Sequence, residues 1–258
     1  MPTEVLAVDD REKVRTLTFH RPEAANAFNE ALYLALAGAL ETAATDDEVS
    51  VVLLTGAGKS FSSGTDLNEM AAIAQAHAAG ESSANTGKGF GTLLDVLIAF
   101  PKPLLAAVNG SGVGLGLTML AHCDLVLIAE HARLLAPFTS MGVAPEAASS
   151  YLLPLRMGHQ QAALALYASR WFTADQAVAS GLALRTCPAE TLLETTHELA
   201  REIASKPLAS LLATKRLVSD AHRDRILRAR QREDAAFAEL LRGPGMDDSV
   251  LGQLPGSR

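Results

Sequence analysis

Cysteine is scarce in this chain. Only Cys123 and Cys187 occur in 258 residues, far apart, with no CxxC pair and no metal-ligand spacing around them. That excludes a disulfide-stapled scaffold and a cysteine-built zinc site, so no metal is expected. An excess of basic residues is missing too: 22 Lys and Arg face 29 Asp and Glu, for a net charge of −7. A general nucleic-acid binder would show a basic face, so no nucleic-acid partner is expected. No apolar run reaches the length of a membrane span, and Pro or Gly breaks the longest candidates. The first residues, "MPTEVLAVDDREK", contain no apolar signal core. These absences together predict a soluble, reduced, cytoplasmic protein with no membrane partner.

What is present suffices for one large domain, or for one domain with an appendage. Hydrophobic residues make up 48% and charged residues 20%, an ordinary globular balance. "EVLAVDD" and "KVRTLTFH" alternate apolar and polar positions and read as strands. "EALYLALAGALETAAT" has helical periodicity. "VSVVLLTG" is a β-branched run of the kind covered on both faces. "TLLDVLIAF" then reads as helix, "KPLLAAVNG" and "DLVLIAE" as strands, "ARLLAPF" as a shorter strand, and "HQQAALALYAS" as helix. In "TADQAVASG", Thr173 is a candidate N-cap and Gly181 a stop. The polar, glycine-rich residues 80–91 are expected to form a mobile loop. Alternating strands and helices give an α/β class. Beyond Ala189 the pattern is helical, which predicts a body over residues 1–195 and a helical region over 196–258 that serves assembly.

Two glycine-rich stretches imitate nucleotide loops and fail the test. "VVLLTGAGKS" has Leu53 where a phosphate-binding loop needs its first glycine. "NGSGVGLG" has Leu115 or Leu117 where a dinucleotide fingerprint needs its third. Each stretch nevertheless follows an apolar strand and precedes a helix, so each leaves unpaired backbone N–H groups at a helix start. Either these are tight turns only, or two such loops facing one point make an oxyanion site from main chain.

A third stretch, "VAPEAASS", carries one charged residue, Glu146, between largely apolar segments. It reads either as a solvated loop carboxylate or as a carboxylate held in an apolar cleft.

"VVLLTGAGKSFSSGTDLNEM" and "KPLLAAVNGSGVGLGLTMLAHCDLVLIAEHARL" resemble the two signatures of the crotonase, or enoyl-CoA hydratase/isomerase, family. "RPEAANAFN" resembles its early CoA-contacting turn and "WFTADQAVASGLALRTCP" its later helix and strand. The resemblance runs from about residue 4 to about residue 215. It implies a crotonase-like spiral of ββα units, with C-terminal helices that pack into homotrimers or hexamers. It implies an acyl-CoA thioester as substrate, so that coenzyme A enters as part of the substrate and no separate cofactor is needed. The thioester oxygen would meet the backbone N–H groups of Thr65 and Leu115, beside Gly64 and Gly114. The nucleotide end would meet Ser63, Asp66 and Leu67, with backbone contacts from Ala25 and Ala27.

Hydratases of this family use two glutamates. The matching positions here are Thr118 and Phe138, neither of which exchanges protons near neutral pH; Phe138 would line the acyl site. Where hydratases have a glycine-rich turn, "APEAAS" places Glu146. The segment "APFTSMGVAPEAASSYLLP" resembles peroxisomal-type Δ3,Δ2-enoyl-CoA isomerases, in which a glutamate at this place is the catalytic base. The resemblance thus implies an isomerase of fatty acid β-oxidation type with Glu146 as base. Its rivals are a hydratase or another acyl-CoA enzyme of the same fold, and a non-catalytic CoA-ester or RNA-binding member. An apolar cleft would lift a glutamate from its ordinary ~4.3 toward the working pH.

Among the other residues, His20 and His122 have no triad or metal partner in sequence and read as structural. Ser62 and Ser63 lack a nucleophile elbow and read as loop hydrogen-bonders. Asp66 is a candidate cap of the following helix. Lys59 and Arg21 are either solvated or near CoA phosphates. In the family a tail Phe and Lys often reach a neighbouring subunit's CoA; Phe237 resembles the first, while the ending "DDSVLGQLPGSR" departs from the usual basic tail.

Overall fold

The computed structural model describes residues 5–69 and 88–242. The chain opens with β1 (Leu6–Arg11) and β2 (Val14–Phe19), an antiparallel hairpin. Its turn residues Glu12 and Lys13 have φ of 52° and 64°, the left-handed pair that suits the twist of a two-residue hairpin. α1 (Glu30–Thr45) follows, with Asn29 accepting from the Leu32 N–H as its N-cap. Its buried stripe of Leu32, Tyr33, Leu36, Ala37, Leu40 and Ala43 repeats at helical spacing.

Three turns of one pattern come next. β3 (Val51–Gly56) is followed by β4 (Ser60–Ser62). After α2 (Gly89–Ala99) come β5 (Leu104–Val108) and β6 (Ser111–Val113). After α3 (Leu115–Thr118) and a 3-10 turn (Met119–His122) come β7 (Leu125–Ala129) and β8 (Arg133–Leu135). In each turn the first strand joins a large sheet and the second a small one. The described residues end with α4 (Ser149–Met157), α5 (His159–Ala168), β9 (Phe172–Thr173), α6 (Ala174–Ser180), β10 (Arg185–Cys187), α7 (Leu192–Ala204) and α8 (Leu208–Arg242).

The large sheet has the order β1-β2-β3-β5-β7-β10 and is parallel apart from the first hairpin. The small sheet has the order β4-β6-β8-β9. Every residue of β3 and β5 is buried, because helices cover both faces of a parallel sheet. This is the α/β class that the sequence pattern implies, arranged as the ββα spiral that the family resemblance implies.

Several details differ from the sequence reading. The glycine stretches contain short strands, β4 and β6, that periodicity cannot register in three residues. The loop expected over 80–91 lies outside the described residues as far as 87, and from Gly89 the chain is helix. The boundary expected at 195/196 falls inside α7, which packs on β3 and β5 and so belongs with the body. α8 is one helix of 35 residues. It lies along its own chain, through ion pairs from Lys215 to Asp124 (2.6 Å) and from Arg230 to Asp95, and a Tyr151–His222 hydrogen bond of 2.8 Å. Phe237 packs against the core of the same chain.

Candidate active site

The two glycine loops meet. Gly64 follows β4 with φ of 87°, and a Cβ placed on it would stand 2.6 Å from the Val113 carbonyl oxygen and 3.4 Å from the Leu115 nitrogen. A Cβ on Gly116 would stand 2.4 Å from the Ser62 carbonyl oxygen. Only glycine permits this approach of backbone to backbone. It brings the Thr65 end of one loop against the Leu115 start of α3. Phe28 anchors the first loop: its N–H donates to the Gly64 carbonyl (2.7 Å) and its carbonyl accepts from the Asp66 N–H (2.9 Å). Thr65 pairs with Phe28 as a parallel bridge, so its own N–H turns away from Phe28. Leu115 is the first residue of α3, where an N–H has no intrahelical acceptor. Beside it, a Cβ on Gly114 would meet nothing within 4 Å, which marks open space at this point.

α3 is a single turn, with Leu115 at one end and Thr118 at the other, a rise of about 4.5 Å. The buried Thr118 hydroxyl donates to Glu146 Oε1 at 3.3 Å. The fold thus carries Glu146 to within one helical turn and one hydrogen bond of the Leu115 N–H. The residue as a whole keeps partial exposure, while its carboxyl sits among packed groups. Burial pushes it up to about 8; the Thr118 hydrogen bond opposes this and the nearby Glu233 charge adds to it.

The loop that presents Glu146 is unusual. Ala147 and Ala148 follow it with φ of 59° and 56°, a left-handed conformation that costs an L-residue roughly 1–2 kcal/mol each. Side chains from two other elements hold it there. His122 Nε2 bonds the Ala147 carbonyl at 2.8 Å. Burial pushes this imidazole down to about 4, so it is neutral and donates. Glu233 of α8 accepts from the Ala148 N–H (2.6 Å) and the Ser150 N–H (2.7 Å).

Tyr33 joins the constellation from α1. Its hydroxyl bonds Thr65 Oγ1 at 2.9 Å. Burial raises its pKa, and the Glu146 charge raises it further.

The neighbouring carboxylates are engaged. Asp66 pairs with Arg21 at 3.1 Å, Glu69 accepts from the Glu30 N–H at 2.7 Å, and Glu30 accepts from the Gly89 N–H at 2.9 Å. Among the described residues, Glu146 is paired with a hydroxyl alone and with no cation or amide. It is the carboxylate here that remains able to take up and release a proton.

The other residues singled out in the sequence fall around this centre. Phe138 is buried in the core cluster, and Leu67 packs against that cluster. Ser62 is buried; it donates to the Asn26 carbonyl and accepts from the Gly64 N–H. The Ser63 hydroxyl donates to the Ala24 carbonyl at 3.2 Å and its N–H to the Ala25 carbonyl at 3.0 Å. Asp66 Oδ1 accepts from the Glu69 N–H at 3.4 Å, at the start of helical residues 67–69. Arg21 is not a solvated cation: it is spent on Asp66 and on the Ala27 carbonyl (2.6 Å). Lys59 is exposed.

Tyr33, Glu233 and the loop-holding role of His122 escaped the sequence reading. Tyr33 reads as one more apolar position of α1. The partners of His122 and Glu233 are backbone groups 25 and 83–85 residues away, for which sequence carries no local signal.

Comparison with known proteins identifies the family. The sequence profile described as enoyl-CoA hydratase/isomerase matches residues 9–247. The chain is 36% identical to 2,3-dehydroadipyl-CoA hydratase of Escherichia coli (strain K12), covering 81% of this chain and 80% of that one. It is 34% identical to enoyl-CoA delta isomerase 2 of Rattus norvegicus, covering 83% of this chain and 54% of that protein. The crystal structure of an enoyl-CoA hydratase/isomerase from Pseudoalteromonas atlantica T6c superposes with a TM-score of 0.88 at 35% identity, covering 96% of both chains. A profile match over most of the chain and relatives above 30% identity show that the chain belongs to the enoyl-CoA hydratase/isomerase family.

Proposed function

We propose that the protein is an enoyl-CoA isomerase that moves the double bond of a 3-enoyl-CoA to the 2 position. One observation carries this reading: Glu146 stands one turn of α3 from the Leu115 N–H with only a hydroxyl as partner. Glu146 removes a proton from C2. Negative charge spreads onto the thioester oxygen of the resulting dienolate, where the Thr65 and Leu115 N–H groups receive it. Fixed donors aimed at charge that develops in the transition state contribute most there, and losing one typically costs ~3–4 kcal/mol of activation free energy. Glu146 then returns the proton to C4. A base raised to about 8 is close to the working pH, where a group can both take and give a proton.

Hydration would need a second acid–base group, and the positions that supply it by family resemblance hold Thr118 and Phe138. The rat relative named an enoyl-CoA delta isomerase supports the same choice. The nucleotide end is assigned to Ser63, Asp66 and Leu67 and to the Ala25 and Ala27 backbone. Both of those carbonyls already accept one bond and keep a second lone pair.

A homotrimer or a hexamer belongs to this reading, and so does a cytoplasmic location. Leu217 and Val218 on α8, 74% and 61% exposed, offer an apolar face for association. Two buried free cysteines suit a reducing compartment. Among the described residues no helix is long and apolar enough to cross a membrane.

The test supplies 2-enoyl-CoA and 3-enoyl-CoA in separate assays. Turnover of the 3-enoyl ester to the conjugated product is expected. Rapid hydration of the 2-enoyl ester without isomerisation of the other would overturn the assignment.

A further inference from the structure

The Glu146 loop has no local support of its own. α4 begins immediately after it, and the cap position, Ala148, has no side chain able to accept from the first N–H groups. A Ser, Asp or Asn at that place would satisfy them locally. The acceptor instead comes from α8: Glu233 spans the Ala148 and Ser150 N–H groups with its two oxygens at 2.6 and 2.7 Å. Glu233 is 5% exposed, and no ion pair reaches it among the described residues. Burying a carboxylate without a cation is costly unless hydrogen bonds replace its water. A remote buried carboxylate is therefore a demanding way to cap a nine-residue helix. It does one thing a local cap cannot: it ties the loop to a different element.

We propose that Glu233 is a positioning residue that acts through Glu146, so that docking of α8 on its own chain sets the geometry of the proton-transferring loop. The inference rests on the reading of Glu146 as the base. Ala147 separates Glu146 from the gripped Ala148 amide, and Ala147 and Ala148 both hold left-handed backbone, which persists only where its surroundings enforce it. His122 fixes the carbonyl between them from the 3-10 turn, and Glu233 fixes the amide side from α8. Rotation at either alanine swings the Glu146 carboxyl away from Thr118 and from the open space at Gly114. Catalysis is sensitive to this, since a misplacement of about 1 Å can cost on the order of 100-fold in rate.

Glu233→Ala and Glu233→Gln in the full-length chain test the idea beside Glu146→Gln. Each is assayed with a 3-enoyl-CoA well below its melting midpoint. The expected result for both Glu233 variants is kcat lower by about 10- to 100-fold with KM within about threefold. The acid limb of the pH profile should move to lower pH as well. The charged or titratable groups that face Glu146 are Glu233 from α8 and Tyr33 from α1, and removing the Glu233 charge makes the carboxyl easier to ionise. The limb shift follows from the lost charge alone, so kcat on the plateau of the profile decides: a merely structural Glu233 would lower the melting midpoint and leave that kcat in place. Parent-like kcat in folded Glu233→Gln, with Glu146→Gln inactive, would overturn the role of Glu233 and leave the base assignment standing. Parent-like turnover in Glu146→Gln would overturn the base assignment itself and the inference with it. If Glu233→Ala fails to fold, the near-isosteric Gln variant decides.

Discussion

Thr118 donates its hydroxyl to the Glu146 carboxyl at 3.3 Å. It thereby links the far end of the helical turn that begins at Leu115 to the loop that begins at Pro145. By family resemblance Thr118 occupies the place of a hydratase glutamate. Here the same position supports a carboxylate supplied from another element. The bond stabilises the ionised form of Glu146 against the burial that opposes it.

That balance predicts a pH profile. The base must be ionised to act, so kcat/KM for isomerisation should rise about tenfold per pH unit and level off near 8. Thr118→Val removes a bond that favours the ionised form and should move the limb to higher pH. A profile flat from pH 5 to pH 8 would contradict Glu146 as the base.

Glu146 should also weaken the fold. Its carboxyl titrates near 8 when folded, against an ordinary 4.5. Between those values the folded state binds the proton more tightly, so stability falls as pH rises through the window. Glu146→Gln resembles the protonated form and escapes this loss. Urea unfolding should show it more stable than the parent at pH 8, by on the order of 1–3 kcal/mol once partial solvent screening is allowed for, and equal at pH 4. A variant less stable at pH 8 would contradict the raised carboxyl.

Gly64→Ala should disable the site from a distance. The added methyl meets the Val113 carbonyl at 2.6 Å with φ at 87°, so the two loops must part. A cost of about 2–4 kcal/mol in stability is expected. Turnover should fall by about 100-fold or more, as when an oxyanion donor is lost. Unfolding curves and kcat measured on the same preparation separate the two effects.

Lys102 provides a control at the other end of β5. Its buried ammonium donates to the Ala43, Asp46 and Val49 carbonyls at 2.6, 2.6 and 2.7 Å, closing the end of α1 onto the sheet. Lys102→Met leaves three carbonyls without that donor and should cost about 2–4 kcal/mol. The kcat of the folded variant should stay within about twofold of the parent, since no group of the site is touched. A large fall in kcat would mean that the sheet transmits strain to Gly64 and Leu115.

What was legible in the sequence follows from the range of the interactions. α6 was readable because its signals are local: Thr173 and Gln176 form a capping box and Gly181 ends the helix at φ of 85°. β3, β5 and β7 were readable because burial on both faces imposes an apolar run. The Thr65 and Leu115 loops were readable as glycine stretches between strand and helix, and the family resemblance gave them a purpose. α4 was not readable: it contains Pro154, starts from a left-handed alanine and takes its cap from Glu233. The unbroken length of α8 was hidden by the charged residues of its exposed face. Tyr33 was hidden inside an apolar stripe, because a phenol with one polar atom has the pattern of a core residue until its partner is known.

The interlocked glycines have a consequence for descent. In the proposed mechanism the donors at Thr65 and Leu115 are main chain, so most side-chain replacements at those two positions would leave the hold on a thioester oxygen intact. In the family resemblance the acids that set the reaction are side chains at the places of Thr118, Phe138 and Glu146, each on its own segment. On that reading a lineage could exchange one reaction for another by replacements at these three places while its hold on the developing charge is inherited unchanged.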